Sequence, residues 1–330
     1  VMPRTMDGCI GLSTQDSMRL YVDDKLLIDG WGKEKSADQA LDFHFEAGRT
    51  YKIRMEFVND RRGARVIFVY SAGRENVPAD VEAARKADVA ILCMGDNEET
   101  SGENFDRTDL NLPGRQLELV QAVYATGTPV VLVLQSGRPV TANWENNHLP
   151  AILEAWFPGE QGGTAIAKTL FGNAAPGGRL PITFPRSVGQ IPCHYSRRPG
   201  GGKRYVEMDW LPLYPFGYGL TYTTFAYSDM TLSRSVIGPQ DTVTVSVTVT
   251  NTGKYTGDAV PQLYVRDMFS SVVKPERQLA AFRRLTLAPG ESRRVELTIG
   301  PKQLRTLGPD YVWRVEPGKF ELQLGDNAEN

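Results

Sequence analysis

Hydrophobic residues follow one rhythm at both ends of the chain and another in the middle. Near the N-terminus, Met18-Arg19-Leu20-Tyr21-Val22 and Leu26-Leu27-Ile28 flank the acidic pair Asp23-Asp24, a pattern that predicts a β-hairpin. Tyr51, Ile53, Met55 and Phe57 alternate after Ala47-Gly48, and Arg65-Val66-Ile67-Phe68-Val69-Tyr70 forms a further strand. Residues 1–72 therefore read as part of an antiparallel β-sandwich. From about residue 79 the period changes. A helix over Val81–Ala87 leads into the continuous apolar run Val89–Met94, which ends at Gly95. Pro113-Gly114 opens a second helix, with Leu117, Val120 and Tyr124 on one face and Gly127 as its C-cap. Val130–Leu134 and Ala151-Ile152-Leu153 are further strands, and a helix over Thr164–Leu170 stops at Gly172. Strands without alternation, interleaved with helices, predict a mostly parallel, helix-covered sheet.

Residues 186–222 read as a long irregular connection containing Pro199-Gly200-Gly201-Gly202 and Tyr214-Pro215-Phe216-Gly217-Tyr218-Gly219. Alternation returns in Thr242–Val249 and is followed by the turn Asn251-Thr252-Gly253. With strands at Gln262–Arg266, Arg294–Ile299 and Lys319–Leu324, residues 223–330 predict an immunoglobulin-like sandwich of about seven strands. The expected organisation is multidomain α/β plus all-β: residues 1–72, 73–222 and 223–330.

Composition narrows the possible partners. A net charge of −2 across 330 residues leaves no basic excess for nucleic acid, and no apolar run approaches the roughly 20 residues of a membrane-spanning helix. Cys9, Cys93 and Cys193 lack metal or disulfide spacing, and His44 and His194 are isolated. No signal peptide precedes the first strand-like sequence, and both ends look cut. Compartment is therefore left open, with a periplasmic or secreted setting slightly favoured.

Chemistry concentrates where the first apolar strand ends. Gly95–Arg107 packs five carboxylates and one arginine into thirteen residues, at the strand end where open α/β sheets place their ligands. The spacing does not match a calcium loop. Two readings remain: a solvated acidic face, the commoner fate of such loops, and a carboxyl group working as acid and base on a glycosidic bond.

Several motifs resemble glycoside hydrolase family 3, in that family's order. Ser101-Gly102-Glu103, Asp106-Arg107, Leu110-Asn111-Leu112-Pro113-Gly114 and Gln116 are similar to its acid/base loop. They are followed by Trp156-Phe157-Pro158-Gly159 with Gly162-Gly163, Phe171-Gly172-Asn173, Pro176–Pro181 and the aromatic connector Pro212–Tyr222. Val249–Gly253 and Leu287-Ala288-Pro289-Gly290-Glu291 resemble its fibronectin type III-like tail, and Ser13–Gly32 resembles the second half of a protective-antigen-like insert. The resemblance implies a retaining, exo-acting β-glycosidase, foremost a β-glucosidase acting on short oligosaccharides or aryl glycosides. It implies Glu103 as general acid/base with Glu99 as runner-up, and loop support from Asp106 and Arg107. It needs no cofactor and no metal. The family's nucleophilic aspartate lies on an N-terminal (β/α)8 barrel, and no barrel precedes residue 1. The expected partners are thus a carbohydrate and that barrel, with a homo-oligomer left open, and the segment alone is expected to be inactive. The sequence departs from the family at Asn104, where a glycine is usual. A noncatalytic carbohydrate-binding module and a xylosidase or arabinosidase of the same family are the alternatives.

Smaller signals carry paired readings. Trp31 is a sugar platform or, more commonly, a loop-packing residue; Trp156 is a packing anchor beneath the site. The Tyr214–Tyr222 aromatics read as a seam between domains. Arg61-Arg62 and Arg197-Arg198 read as solvated surface.

Overall fold

The computed structural model describes residues 2, 5–14, 17–32, 39–58, 66–71, 77–200 and 204–329. Arg61 and Arg62 lie outside this set. The chain divides into two compact units, Val1–Lys86 and Ala87–Asn330.

The first unit holds strands β1 (Met6–Thr14), β2 (Met18–Val22), β3 (Lys25–Asp29), β4 (Gln39–Phe45), β5 (Ile53–Phe57) and β6 (Val66–Ser71), then helix α1 (Val77–Arg85). The strands form two antiparallel sheets, ordered β4-β1-β6 and β3-β2-β5. Alternation decides which side chains meet: Ile10 and Leu12 from one sheet and Met18, Leu20, Val22 and Ile28 from the other share one core with Phe45. Asp23 and Asp24 form the β2–β3 turn with φ of 50° and 62°, the left-handed pair that a two-residue hairpin demands. The Asp23 carboxylate accepts the Lys52 amide and Arg49 Nη2, both at 2.9 Å, and these bonds hold it below the usual carboxylate range. Ile53, Met55 and Phe57 pair with Val22, Leu20 and Met18 and share their face, yet are 36–51% exposed on edge strand β5. Helix α1 begins four residues before the sequence pattern places it.

The second unit opens with strands β7 (Ala90–Gly95), β8 (Val130–Gln135) and β9 (Ala151–Glu154), a parallel sheet in that order. Helices α2 (Gln116–Tyr124), α3 (Asn143–His148) and α4 (Gly162–Leu170) alternate with them. Four of six β8 residues are buried, as a central strand requires, whereas Ile91 and Cys93 on edge strand β7 are exposed. The continuous apolar run there therefore does not mean burial on both faces. In α2 the buried pair is Val120 and Val123; Tyr124, expected on the apolar face, is 40% exposed and meets Trp144 and His148 edge-on.

The aromatic connector works as the seam read from its sequence. Phe184 and Tyr214 form a β-bridge, and the edge-to-face contacts Trp156–Phe184 (5.8 Å) and Phe184–Tyr214 (6.1 Å) tie it to the turn after β9. In the other direction Phe216 stacks on Tyr195, which meets the buried Tyr264 of the following sandwich. Gly217 (φ 82°) has no room for a Cβ, which would fall 2.1 Å from Gln262 Oε1.

That sandwich comprises β10 (Phe225–Leu232), β11 (Val243–Asn251), β12 (Gly257–Ala259), β13 (Gln262–Asp267), β14 (Gln278–Phe282), β15 (Leu285–Leu287) and β16 (Ser292–Ile299). Helix α5 (Pro301–Leu304) and strands β17 (Thr306–Leu307), β18 (Trp313–Arg314) and β19 (Phe320–Gly325) complete it. Its sheets β10-β11-β16 and β14-β13-β19 enclose Val243, Val245, Val247 and Val249, the inward residues of the strictly alternating strand. Buried Asn251 uses its whole carboxamide: Oδ1 accepts Thr223 Oγ1 and the Gly253 amide, and Nδ2 donates to the Tyr255 and Leu287 carbonyls. The fold is thus multidomain α/β plus all-β, as the hydrophobic pattern predicts.

Candidate active site

Three turns meet at the carboxyl edge of the parallel sheet. The first leaves β7 at Gly95, whose φ of 142° admits only glycine; a Cβ would sit 1.9 Å from the Gln135 carbonyl. The Gln116 carboxamide clamps Gly95 on both sides, accepting its N–H at 2.7 Å and donating to its carbonyl at 2.9 Å. This fixes the departure of the acidic loop from the strand.

Asp96 is the hub of that loop. Its side chain is only 1% exposed and accepts Ser136 Oγ (2.6 Å), Thr100 Oγ1 (2.9 Å) and Arg107 Nη1 (3.1 Å), with Arg138 Nε at 3.8 Å. A buried carboxylate is costly unless paired and hydrogen-bonded, and here it is both. Asn97 Oδ1 accepts the Glu99 and Thr100 amides, closing the first bend of the loop. Arg107 reaches onward to the Asn111 carbonyl at 2.8 Å, so it pins the loop's return.

Glu103 stands at the tip. The Phe105 amide donates to the Gly102 carbonyl (3.2 Å) across a turn in which Asn104 adopts φ 66°. Asparagine, like glycine, visits the left-handed region readily, so this angle is open to the residue present. Glu103, Glu99 and Asp106 are exposed, and among the described residues none of their carboxylates is ion-paired. Of the four residues singled out from sequence, Arg107 is the one bound into the support. Its partner is Asp96, not the adjacent Asp106.

The second turn, Ser136-Gly137-Arg138 after β8, lies against the first. A Cβ on Gly137 would meet the Phe157 ring at 2.7 Å and Ser101 Oγ at 3.3 Å. Arg138 reaches Ser101 Oγ and the Phe105 carbonyl, each at 3.4 Å. The third turn follows β9, where Glu154 Oε1 accepts the amide of Trp156, itself at φ 52°. Among the described residues Glu154 Oε2 is buried without a hydrogen-bond partner, and desolvation pushes the carboxyl up to about 7 against the opposing pull of that amide. Trp156 is the packing anchor expected of it, against Phe184.

Sequence reading missed Asp96, Arg138 and Glu154. Asp96 is the first polar residue after its strand, and Glu154 ends its own; that position was the available signal, but their convergence is tertiary. Elsewhere Trp31 is 41% exposed with the Arg19 guanidinium 4.8 Å over its ring, His44 bonds Asp7 at 2.6 Å, and Arg197 pairs with Glu276 and Glu329 rather than lying solvated.

An unpaired carboxyl on an immobilised turn can exchange protons with a bound molecule. Comparison with known proteins identifies the setting. Residues 13–222 match the model of the glycosyl hydrolase family 3 C-terminal domain. The chain belongs to glycosyl hydrolase family 3. Residues 259–328 match a fibronectin type III-like domain. A β-xylosidase of Formosa agariphila is 44% identical over 78% of the chain and 36% of its own length. A β-glucosidase of Rhizobium radiobacter is 34% identical over 99% of the chain and 44% of its own length. The crystal structure of a Kluyveromyces marxianus β-glucosidase in complex with glucose covers the whole chain at a TM-score of 0.83 and 27% identity, and the chain spans 43% of it. The family 3 chain thus spans less than half the length of these relatives.

Proposed function

We propose that the chain is the C-terminal part of a retaining, exo-acting β-glycosidase, in the first reading a β-glucosidase that removes terminal β-D-glucosyl residues from short oligosaccharides or aryl glycosides. Glu103 gives a proton to the leaving oxygen as an aspartate from an N-terminal (β/α)8 barrel attacks the anomeric carbon. It then takes a proton from the water that hydrolyses the glycosyl-enzyme. Asp106 lies beside it on the loop, Arg107 supports the loop, and Glu99 is the alternative acid. The observation that carries this reading is the Glu103 carboxyl, exposed and, among the described residues, without an ion-pair partner, on a turn whose base is bolted to the sheet by Asp96.

The test is Glu103→Gln in the complete protein. Loss of a general acid/base costs ~10²–10⁴-fold on substrates with poor leaving groups. Azide, which needs no general base, is expected to restore turnover of an activated aryl glycoside and yield the β-glycosyl azide. Unchanged activity would remove Glu103 from the mechanism, and the same pair of measurements on Glu99→Gln would then decide the alternative. A complete protein with no glycosidase activity would favour a noncatalytic carbohydrate-binding module.

A β-xylosidase reading is favoured by the 44% identical relative of that name. Comparing kcat/KM on aryl β-glucoside and aryl β-xyloside separates the two.

A further inference from the structure

We propose that Arg138 is a positioning residue for the acid/base turn, holding both ends of the segment that carries Glu103; this rests on the acid/base role proposed for Glu103. The turn bearing Glu103 begins at Ser101 and ends at Phe105. One guanidinium reaches both: Nη2 donates to Ser101 Oγ, and Nη1 and Nη2 donate to the Phe105 carbonyl, all at 3.4 Å. Its Nε lies 3.8 Å from Asp96 Oδ2, inside the hub that also takes Arg107. Arg138 is itself fixed at its backbone, since Ser136 Oγ, whose proton goes to Asp96, accepts its amide at 3.2 Å.

The geometry suits the guanidinium alone. Its planar fork offers donors in several directions at once, whereas a lysine ammonium on a flexible stem cannot span Ser101 and Phe105 while keeping the Asp96 pair. Glu103 has no ion-pair partner of its own among the described residues, so its placement follows from its backbone. The ends of that backbone are what Arg138 grips. Placement matters because proton transfer to a leaving oxygen tolerates little misalignment.

The experiment measures kcat/KM for the complete protein and for Arg138→Met, Arg138→Lys and Glu103→Gln. Two β-glycosides are used, one with a dinitrophenyl and one with an alkyl leaving group. The dinitrophenyl group departs without acid assistance. Misplacement of Glu103 is therefore expected to lower the alkyl substrate ~10–100-fold in Arg138→Met while the dinitrophenyl substrate changes less than about 3-fold. Arg138→Lys, which keeps the charge beside Asp96, is expected to fall in between and serves if Arg138→Met does not fold. Equal losses on both substrates, or no loss on either, would overturn the positioning role. If Glu103→Gln itself shows no leaving-group dependence, the acid/base reading fails first, and the two failures are told apart.

Discussion

At the scale of single residues, the site depends on a few backbone positions that few side chains can occupy. Gly95 is required by its φ of 142° and by the Gln135 carbonyl lying where its Cβ would be. Asn104 is a subtler case: its φ of 66° is one that glycine and asparagine reach most readily. Asn104→Gly is therefore expected to change stability by less than about 0.5 kcal/mol and to keep activity. Asn104→Val, a β-branched residue in the left-handed region, is expected to cost about 1–2 kcal/mol and to lower activity on poor leaving groups more than on activated ones. Thermal unfolding midpoints and kcat/KM on both substrate types check this. Equal behaviour of Gly and Val would show that the turn does not hold this angle. The family resemblance marked position 104 as unusual, but only the dihedral explains why asparagine serves there.

At the scale of elements, each strand of the parallel sheet ends in a turn that its neighbours complete. The turn after β9 does so through a carboxyl with one oxygen that finds no partner among the described residues. Glu154 has an ordinary carboxyl value of 4.5 and reaches about 7 when folded, through desolvation. The folded state therefore holds its proton more tightly, so this contribution to stability is present below about 4.5 and is lost as pH rises through 7. It amounts to up to about 3 kcal/mol over that window. Glu154→Gln, which stays neutral and keeps an acceptor for the Trp156 amide, is expected to flatten the decline. Unfolding midpoints measured at half-unit steps from about pH 4.5 to 7.5 would show it; parallel profiles for both proteins would place the titration elsewhere. The same element logic explains the helix α2 correction. Tyr124 has the right spacing for the buried face, but Trp144 and His148 offer it aromatic edges at the surface instead.

At the scale of the whole molecule, the proposed function gives this chain one of the two carboxylates that retaining hydrolysis requires. The pair must stand about 5–5.5 Å apart. Under the proposed function, residues 1–330 by themselves are expected to show no turnover of aryl β-glucoside or aryl β-xyloside, whereas the complete protein turns over at least one of them. Hydrolysis by the isolated chain that survives Glu103→Gln would place the chemistry elsewhere. The aromatic connector belongs to this scale as well. Phe184 and Tyr214 bind it to the turn after β9, while Phe216 and Gly217 dock on the sandwich through Tyr195 and Gln262.

The sequence by itself determined the strongly patterned elements and their order, while β1, α3, β10, β12, β14, β15, α5, β17 and β18 went unread. Period-two alternation in β2, β5 and β11, and unbroken apolar runs beside helices in β7 and β8, are local consequences of backbone geometry and need no neighbour to be read. It also placed a carboxylate-rich loop at a strand's carboxyl end. What only the tertiary structure decided is which carboxylates are spent on structure. Asp96 is buried because Ser136 and Arg138, some forty positions away, are brought to it by the pairing of β7 with β8. Glu154 is shifted because burial withholds water from it. Glu103 is left exposed, as are Glu99 and Asp106, so burial sets Asp96 and Glu154 apart without separating these three: desolvation and pairing are properties of three-dimensional neighbours, which linear order does not contain.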